Sequence, residues 1–254
     1  MNGRRIKLLN VNVDDYNLSD TLKRAEEYLN TDKFHHLITP GPEFLLEASA
    51  HPKFQAILNR ADLSIPDGIG LKYGAWLAGK RLHNRIPGVE FINGLLHLAA
   101  HNQSSVFLFG GAPRVAEQAA QKILQRYPGL KIVGIESGHR GWWQKLANHQ
   151  IIEKIHLAKP DILLVALGAP KQELWIDQHR AALHQVRIAI GVGRTFDYWA
   201  GIIKPPHRLW RRLGLEWLYT FVFAGQFHQP QHRRQRVKRA VWDFLLASWR
   251  QRHG

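Results

Sequence analysis

The stretch PDILLVALGAPKQE, residues 160–173, decides the fold. Residues 162–167 form an unbroken apolar run of strand length, and Gly168-Ala169-Pro170 closes it. Lys171, Gln172 and Glu173 then open a helical segment. A strand that enters a helix through small residues brings backbone N–H groups and the positive end of a helix dipole to one point. In an open parallel sheet that point lies at the carboxyl ends of the strands, where ligands bind.

Strand and helix patterns alternate on both sides of this stretch. Residues 105–109, Gly110-Gly111 and residues 112–127 read as strand, turn and helix; 131–135 is a strand, 151–158 a helix and 186–191 the last strand. Upstream, residues 5–13 read as one strand. Residues 18–29 form a helix with Leu22, Ala25 and Leu29 on one face. Residues 35–39 form a strand that ends in Pro40-Gly41-Pro42. Residues 43–61 are helical with a break near His51-Pro52. A brief strand, 63–65, precedes Pro66-Asp67-Gly68; a helix over 71–78, a loop over 81–88 and a helix over 89–101 follow. The order predicts an α/β fold, a Rossmann-like doubly wound, mostly parallel sheet. After Gly201 the character changes, so a domain over 1–201 and a basic amphipathic helical appendage over 202–254 are expected.

The 254 residues are 45% hydrophobic, enough for one sizeable core. The absence of cysteine excludes disulfides, thiolate metal sites and a Cys nucleophile, and fits a reducing compartment. Too few apolar residues precede Asp14 for a secretory signal, and the longest apolar runs fall short of the ~20 that span a bilayer. A cytoplasmic location, peripheral to a membrane, is expected.

The net charge is +15. From Lys204 onward eleven Lys/Arg face only Glu216 and Asp243, so this last fifth carries +9 of it. Four of the nine tryptophans lie between Trp210 and Trp249. Cations interleaved with aromatics suit a membrane–water boundary. Packing of that helix on the core and a solvated basic helix are the plain alternatives. A non-catalytic nucleic-acid binder using the tail is the rival function, although no recognised nucleic-acid module is present.

Several side chains sit where strands end. Thr39 offers a hydroxyl to a ligand, or else caps the next helix. Asp67, flanked by glycine, suits a general base, or else makes a simple Asp-Gly turn. Arg85 can neutralise a diphosphate or lie solvated in its loop. Gly110 and Gly111 in FLFGGAP offer N–H groups to a phosphate, without P-loop spacing. Asp197 contacts a sugar or braces its turn. GVGRTFD, residues 191–197, lacks a third glycine, which argues against NAD and an oxidoreductase. Fifteen scattered histidines show no metal-ligand spacing, so no metal is expected.

Taken in order, TPGPE, ADLSIPDGIGL, RIPGVEFI, VFLFGGAP, YPGLKIVGIESG, PDILLVALGAPKQE, GVGRTFDYWAG and LGLEWLY resemble the WecG/TagA/CpsF family of bacterial glycosyltransferases, over roughly residues 37–219. The resemblance implies sugar transfer from a UDP-sugar to an undecaprenyl-diphosphate-linked sugar, with inversion and without a metal or other cofactor. The setting is teichoic acid or other cell-surface polysaccharide synthesis, with N-acetylmannosamine the best-known donor sugar of the family. It implies Asp67 as catalytic base, Thr39 as an active-site threonine, Arg85 near the diphosphate and Gln172 in the UDP-sugar pocket. Lys171 and Glu173 either share that pocket or lie on the solvent face of their helix. Arg208, Arg211, Arg212, Arg233 and Arg234 of the appendage are expected at the diphosphate or an anionic membrane surface. A homo-oligomer is left open. The chain departs from the family at Gly41, where Asn is usual, at Arg194, where a small residue is usual, at Ile203-Lys204-Pro205-Pro206 in place of Lys-Arg-Ala-Pro, and at Thr220 in place of Arg.

Overall fold

The chain enters as an antiparallel hairpin, β1 (Arg4–Leu8) and β2 (Val11–Asp15). This corrects the reading of residues 5–13 as one strand. Leu9 and Asn10 both adopt left-handed φ, 44° and 63°, and turn the chain back. Such a two-residue turn matches the twist of its strands, but here it carries no glycine to mark it. The structure, a computed structural model, describes residues 4–138, 145–204, 207, 210, 222 and 239–253.

The main sheet of the described residues has six strands, all paired in parallel. They are β3 (His35–Ile38), β4 (Leu63–Ser64), β5 (Ser105–Gly110), β6 (Lys131–Glu136), β7 (Ile162–Ala166) and β8 (Ile188–Gly191), in the order β4-β3-β8-β7-β5-β6. The helices between them are α1 (Leu18–Leu29), α2 (Pro42–Ala50), α3 (Pro52–Arg60), α4 (Ile69–Leu77), α5 (Gly88–His101), α6 (Val115–Arg126), α7 (Lys145–Ala158) and α8 (Lys171–Gln178). After β8 come α9 (Thr195–Trp199) and, behind a π-helical turn at Arg239–Asp243, α10 (Phe244–His253).

Side chains of the central strands are apolar on both faces, which is why residues 162–166 read as a continuous apolar run. Ile162, Leu164, Val106, Leu108, Ile188 and Ile190 pack under α1, α5, α6 and α9. Leu163, Val165, Phe107, Phe109 and Ala189 pack on the other face with Ile151 and Ile155 of α7 and Trp175 and Ile176 of α8. The expected doubly wound architecture is therefore present. A third cluster joins the hairpin to α2, α3 and α4, with Phe244 of α10 fully buried in it.

Winding reverses at the β5–β7 boundary: β6 lies on one side of β5, β7 and β8 on the other. Loops leaving strands at such a boundary diverge and open a crevice. The strands approach closely there. A Cβ on Gly110 would lie 2.6 Å from the carbonyl carbon of Ala166.

Candidate active site

The turns after β3 and β4 are laced together. The Ile65 N–H donates to Ile38 O at 2.8 Å and the Asp67 N–H to Pro40 O at 2.9 Å. This sets Thr39 and Asp67 side by side at the carboxyl edge. Gly88, the first residue of α5, completes the group. Its N–H donates to Asp67 Oδ2 at 3.1 Å, and a Cβ there would stand 3.4 Å from Thr39 Oγ1. The positive end of the α5 dipole thus faces the carboxylate. Gly68, at φ 91°, lets the chain swing from Asp67 straight into α4. Thr39 does not cap α2; the cap position is Gly41, with no side-chain cap bond.

Arg85 lies half-buried in the loop that delivers Gly88. What shapes this loop is Asp15, a residue the sequence reading missed. The N–H groups of His83 and Asn84 donate to its carboxylate at 3.0 and 2.7 Å. The Asn84 amide donates at 2.9 Å, and the His83 ring sits at 2.7 Å. Burial alone would raise the Asp15 carboxyl, but these donors outweigh it and hold the group below its ordinary value. The neighbouring Asp14 takes the N–H of Ser64 at 2.8 Å and pairs with Arg5 through both carboxylate oxygens. Two consecutive aspartates of the hairpin therefore grip both segments that flank Asp67. The signal was present as VNVDD. Alternation predicts which face a strand residue takes, but not what lies across from it.

In the stretch 160–173 the polar groups of the turn and the helix start bond to one another and to the turn after β8. Gly168 N–H, a candidate phosphate donor, instead donates to Gln172 Oε1 at 3.1 Å. The same oxygen accepts the Gly193 N–H at 3.0 Å, and Gln172 Nε2 donates to Glu173 Oε1 at 2.7 Å. Gln172 is 3% exposed and Glu173 fully buried, so Glu173 is not on a solvent face; Lys171 alone of the three is exposed. The side chains of Gln172 and Glu173 act as a latch that ties the turn after β7 to the turn after β8. Gly191 is small because the latch lies against it; a Cβ would meet Gln172 Nε2 at 2.3 Å. Burial pushes the Glu173 carboxyl up to about 7, against the Gln172 hydrogen bond and a backbone bond that favour the charged form. Gly111 N–H is likewise engaged, donating to Ala166 O at 2.9 Å. Gly110 and Gly111, at φ 112° and 78°, shape the edge.

The backbone carbonyl of Asp197 on α9 accepts the N–H groups of Ile202 and Ile203 at 3.0 and 3.3 Å, bonds in which its carboxylate takes no part. Burial raises its carboxyl, with Arg194 opposing. Arg208, Arg211, Arg212, Arg233 and Arg234 lie outside the described residues. Among the described residues no cluster of three His, Asp or Glu is placed to hold a metal ion, and no helix is long and apolar enough to cross a membrane.

Along the edge, Thr39 and the turn after β5 are three strand spacings apart, about 14 Å. An extended ligand can bridge that length. Fold and site together define a doubly wound α/β protein that presents a helix-held carboxylate at the carboxyl edge of a parallel sheet. Comparison with known sequences narrows the class. A sequence model of the Glycosyl transferase WecG/TagA/CpsF family matches residues 6–254. An N-acetylglucosaminyldiphosphoundecaprenol N-acetyl-beta-D-mannosaminyltransferase of Bacillus spizizenii is 33% identical over 195 residues, 77% of this chain and 74% of that protein. A protein of the same name from Staphylococcus aureus is 28% identical over 220 residues, 86% of this chain and 84% of its own length. The chain belongs to the WecG/TagA/CpsF glycosyltransferase family.

Proposed function

We propose that the chain moves N-acetylmannosamine, or a related hexose, from a UDP-sugar to a sugar held on undecaprenyl diphosphate. The relatives' names support the acceptor and the sugar. The observation that carries the chemistry is the Thr39–Asp67–Gly88 cluster, a carboxylate fixed by a helix N–H at the carboxyl edge of the sheet. In this reading Asp67 takes the proton of the acceptor hydroxyl as its oxygen attacks the anomeric carbon from the face opposite UDP. The anomeric C–O bond breaks, the configuration inverts, and UDP leaves with the bonding pair. Arg85 and the tail arginines meet the developing charge, so no metal is required. The enzyme works at the cytoplasmic face of the membrane, with residues 202–254 as a membrane-associating appendage.

The test is Asp67→Asn, which keeps an oxygen for Gly88 but cannot accept the proton. UDP release with UDP-N-acetylmannosamine and a lipid-diphosphate-N-acetylglucosamine analogue should drop about 10²- to 10⁴-fold. The rate should not change between EDTA and Mg²⁺. Wild-type turnover in Asp67→Asn would falsify the base assignment. A loss of rate in EDTA would overturn the metal-free step.

A further inference from the structure

We propose that helix α4 of the catalytic core, and not the C-terminal tail alone, forms part of the surface that docks on an anionic bilayer. The choice of a bilayer as occupant rests on the membrane reading above. The role of α4 is additional, and it sets which way the active site faces.

Helix α4 starts two residues after Asp67. It buries Leu71, Gly74 and Ala75 in the cluster beneath the hairpin, yet leaves Tyr73 57% and Trp76 71% exposed. Helix α10 lies directly against it. A Cβ on Gly74 would stand 2.2 Å from the Phe244 ring and 2.8 Å from Ser248 Oγ, and one on Gly79 would stand 3.5 Å from Arg252 Cδ. The contacts advance together along both helices, so the two run side by side in the same direction. Phe244 and Ser248 are fully buried between them, while Trp242, Leu246 and Trp249 are 67%, 49% and 49% exposed. Residues 246 and 249 follow helical spacing on the face turned away from the core. Four large apolar side chains are therefore exposed on two packed helices, and a fifth, Trp242, on the turn that leads into α10, whereas monomeric soluble proteins seldom expose wide apolar patches.

The charges around them select the partner. Lys72, Lys80 and Arg81 lie on or just after α4, and Arg250 and Arg252 on α10. Residues 68–86 contain no Asp or Glu, and residues 242–254 contain Asp243 alone. Tryptophan and tyrosine among lysine and arginine, with a single acid, match the headgroup layer of an anionic leaflet. With α4 on the bilayer, the turn bearing Asp67 comes close to the lipid surface, within reach of a sugar attached there through a diphosphate.

The chain has no cysteine, so single reporters are clean. Tyr73→Cys, Trp76→Cys and Leu246→Cys would each carry an NBD fluorophore. Leu157→Cys is the control: Leu157 is 79% exposed on α7, which packs beside β6 at the far edge of the sheet. On vesicles of phosphatidylcholine and phosphatidylglycerol, probes at 73, 76 and 246 should brighten and shift to the blue, and the probe at 157 should not. The double variant Tyr73→Ser/Trp76→Ser should bind the same vesicles about tenfold more weakly. A response at 246 with silence at 73 and 76 overturns the role of α4 and leaves the membrane reading standing. Silence at all four sites, with no flotation of the protein, removes the membrane reading as well. A response at 73 and 76 that grows with protein concentration without vesicles would mean that a second copy covers the face, and would refute the proposal.

Discussion

Replacing Asp15 with alanine should damage an active site that Asp15 does not touch. Four donors converge on its carboxylate: the N–H and ring of His83, and the N–H and amide of Asn84. A hydrogen bond to a charged group contributes about 1.5–3 kcal/mol, and a stranded buried donor costs about 1–3 kcal/mol. These terms are not additive, and the exposed His83 ring adds little, so a net loss of about 3–4 kcal/mol is expected. For a chain of 254 residues this lowers Tm by about 10 °C. The loop over 81–88 then loses its anchor, and Gly88 no longer holds Asp67. Displacements of that kind cost up to about 100-fold in rate, so kcat should fall about 10- to 100-fold at 20 °C, where the variant remains folded. Asp15→Asn keeps one acceptor and should lose about half as much stability. Because the folded Asp15 carboxyl lies below its ordinary value of 3.8, its stabilisation is complete above that pH. It fades as pH falls through the lower folded value, so wild type and Asp15→Ala should converge in stability under acid. Differential scanning fluorimetry across pH, with steady-state UDP release, measures all of this. A Tm within about 2 °C of wild type together with unchanged kcat would refute the anchoring argument.

Two further predictions concern the latch. The Glu173 carboxyl rises from an ordinary 4.5 to about 7 on folding, so the native state holds a proton that the unfolded chain has released between those values. Stability should therefore fall as pH rises through that window. Glu173→Gln, which still accepts from Gln172, should be up to about 3 kcal/mol more stable than wild type at pH 8 and nearly equal at pH 4.5; parallel denaturant titrations at the two pH values check it. Gly191→Ala drives a methyl against Gln172 and Glu173 and should cost about 1–3 kcal/mol, with a matching loss in urea midpoint.

Residues 160–173 were legible because strand and helix announce themselves through local pattern, and β7 and α8 lie where that pattern put them. The break at His51-Pro52 was legible for the same reason: Pro52 opens α3 at the expected place. The hairpin turn was not, because Leu9 and Asn10 take positive φ without glycine. Short elements such as the five-residue α9 also escaped, since five residues show little periodicity. Asp67 and Thr39 were singled out correctly as neighbours of one edge; their actual meeting at Gly88 depends on a loop whose shape no local pattern encodes.

By itself the sequence determined most of the elements, their alternation and the family. These depend on periodicity, turn residues and motif order, all of which are written along the chain. Tertiary structure decided what each polar group faces. It paired the Gly168 N–H with Gln172 and buried Glu173 against Gly191. It also placed Asp15 under a loop 68 residues away. A side chain's partners depend on which distant segment packs across from it. Register and strand order settle that only once the sheet has closed.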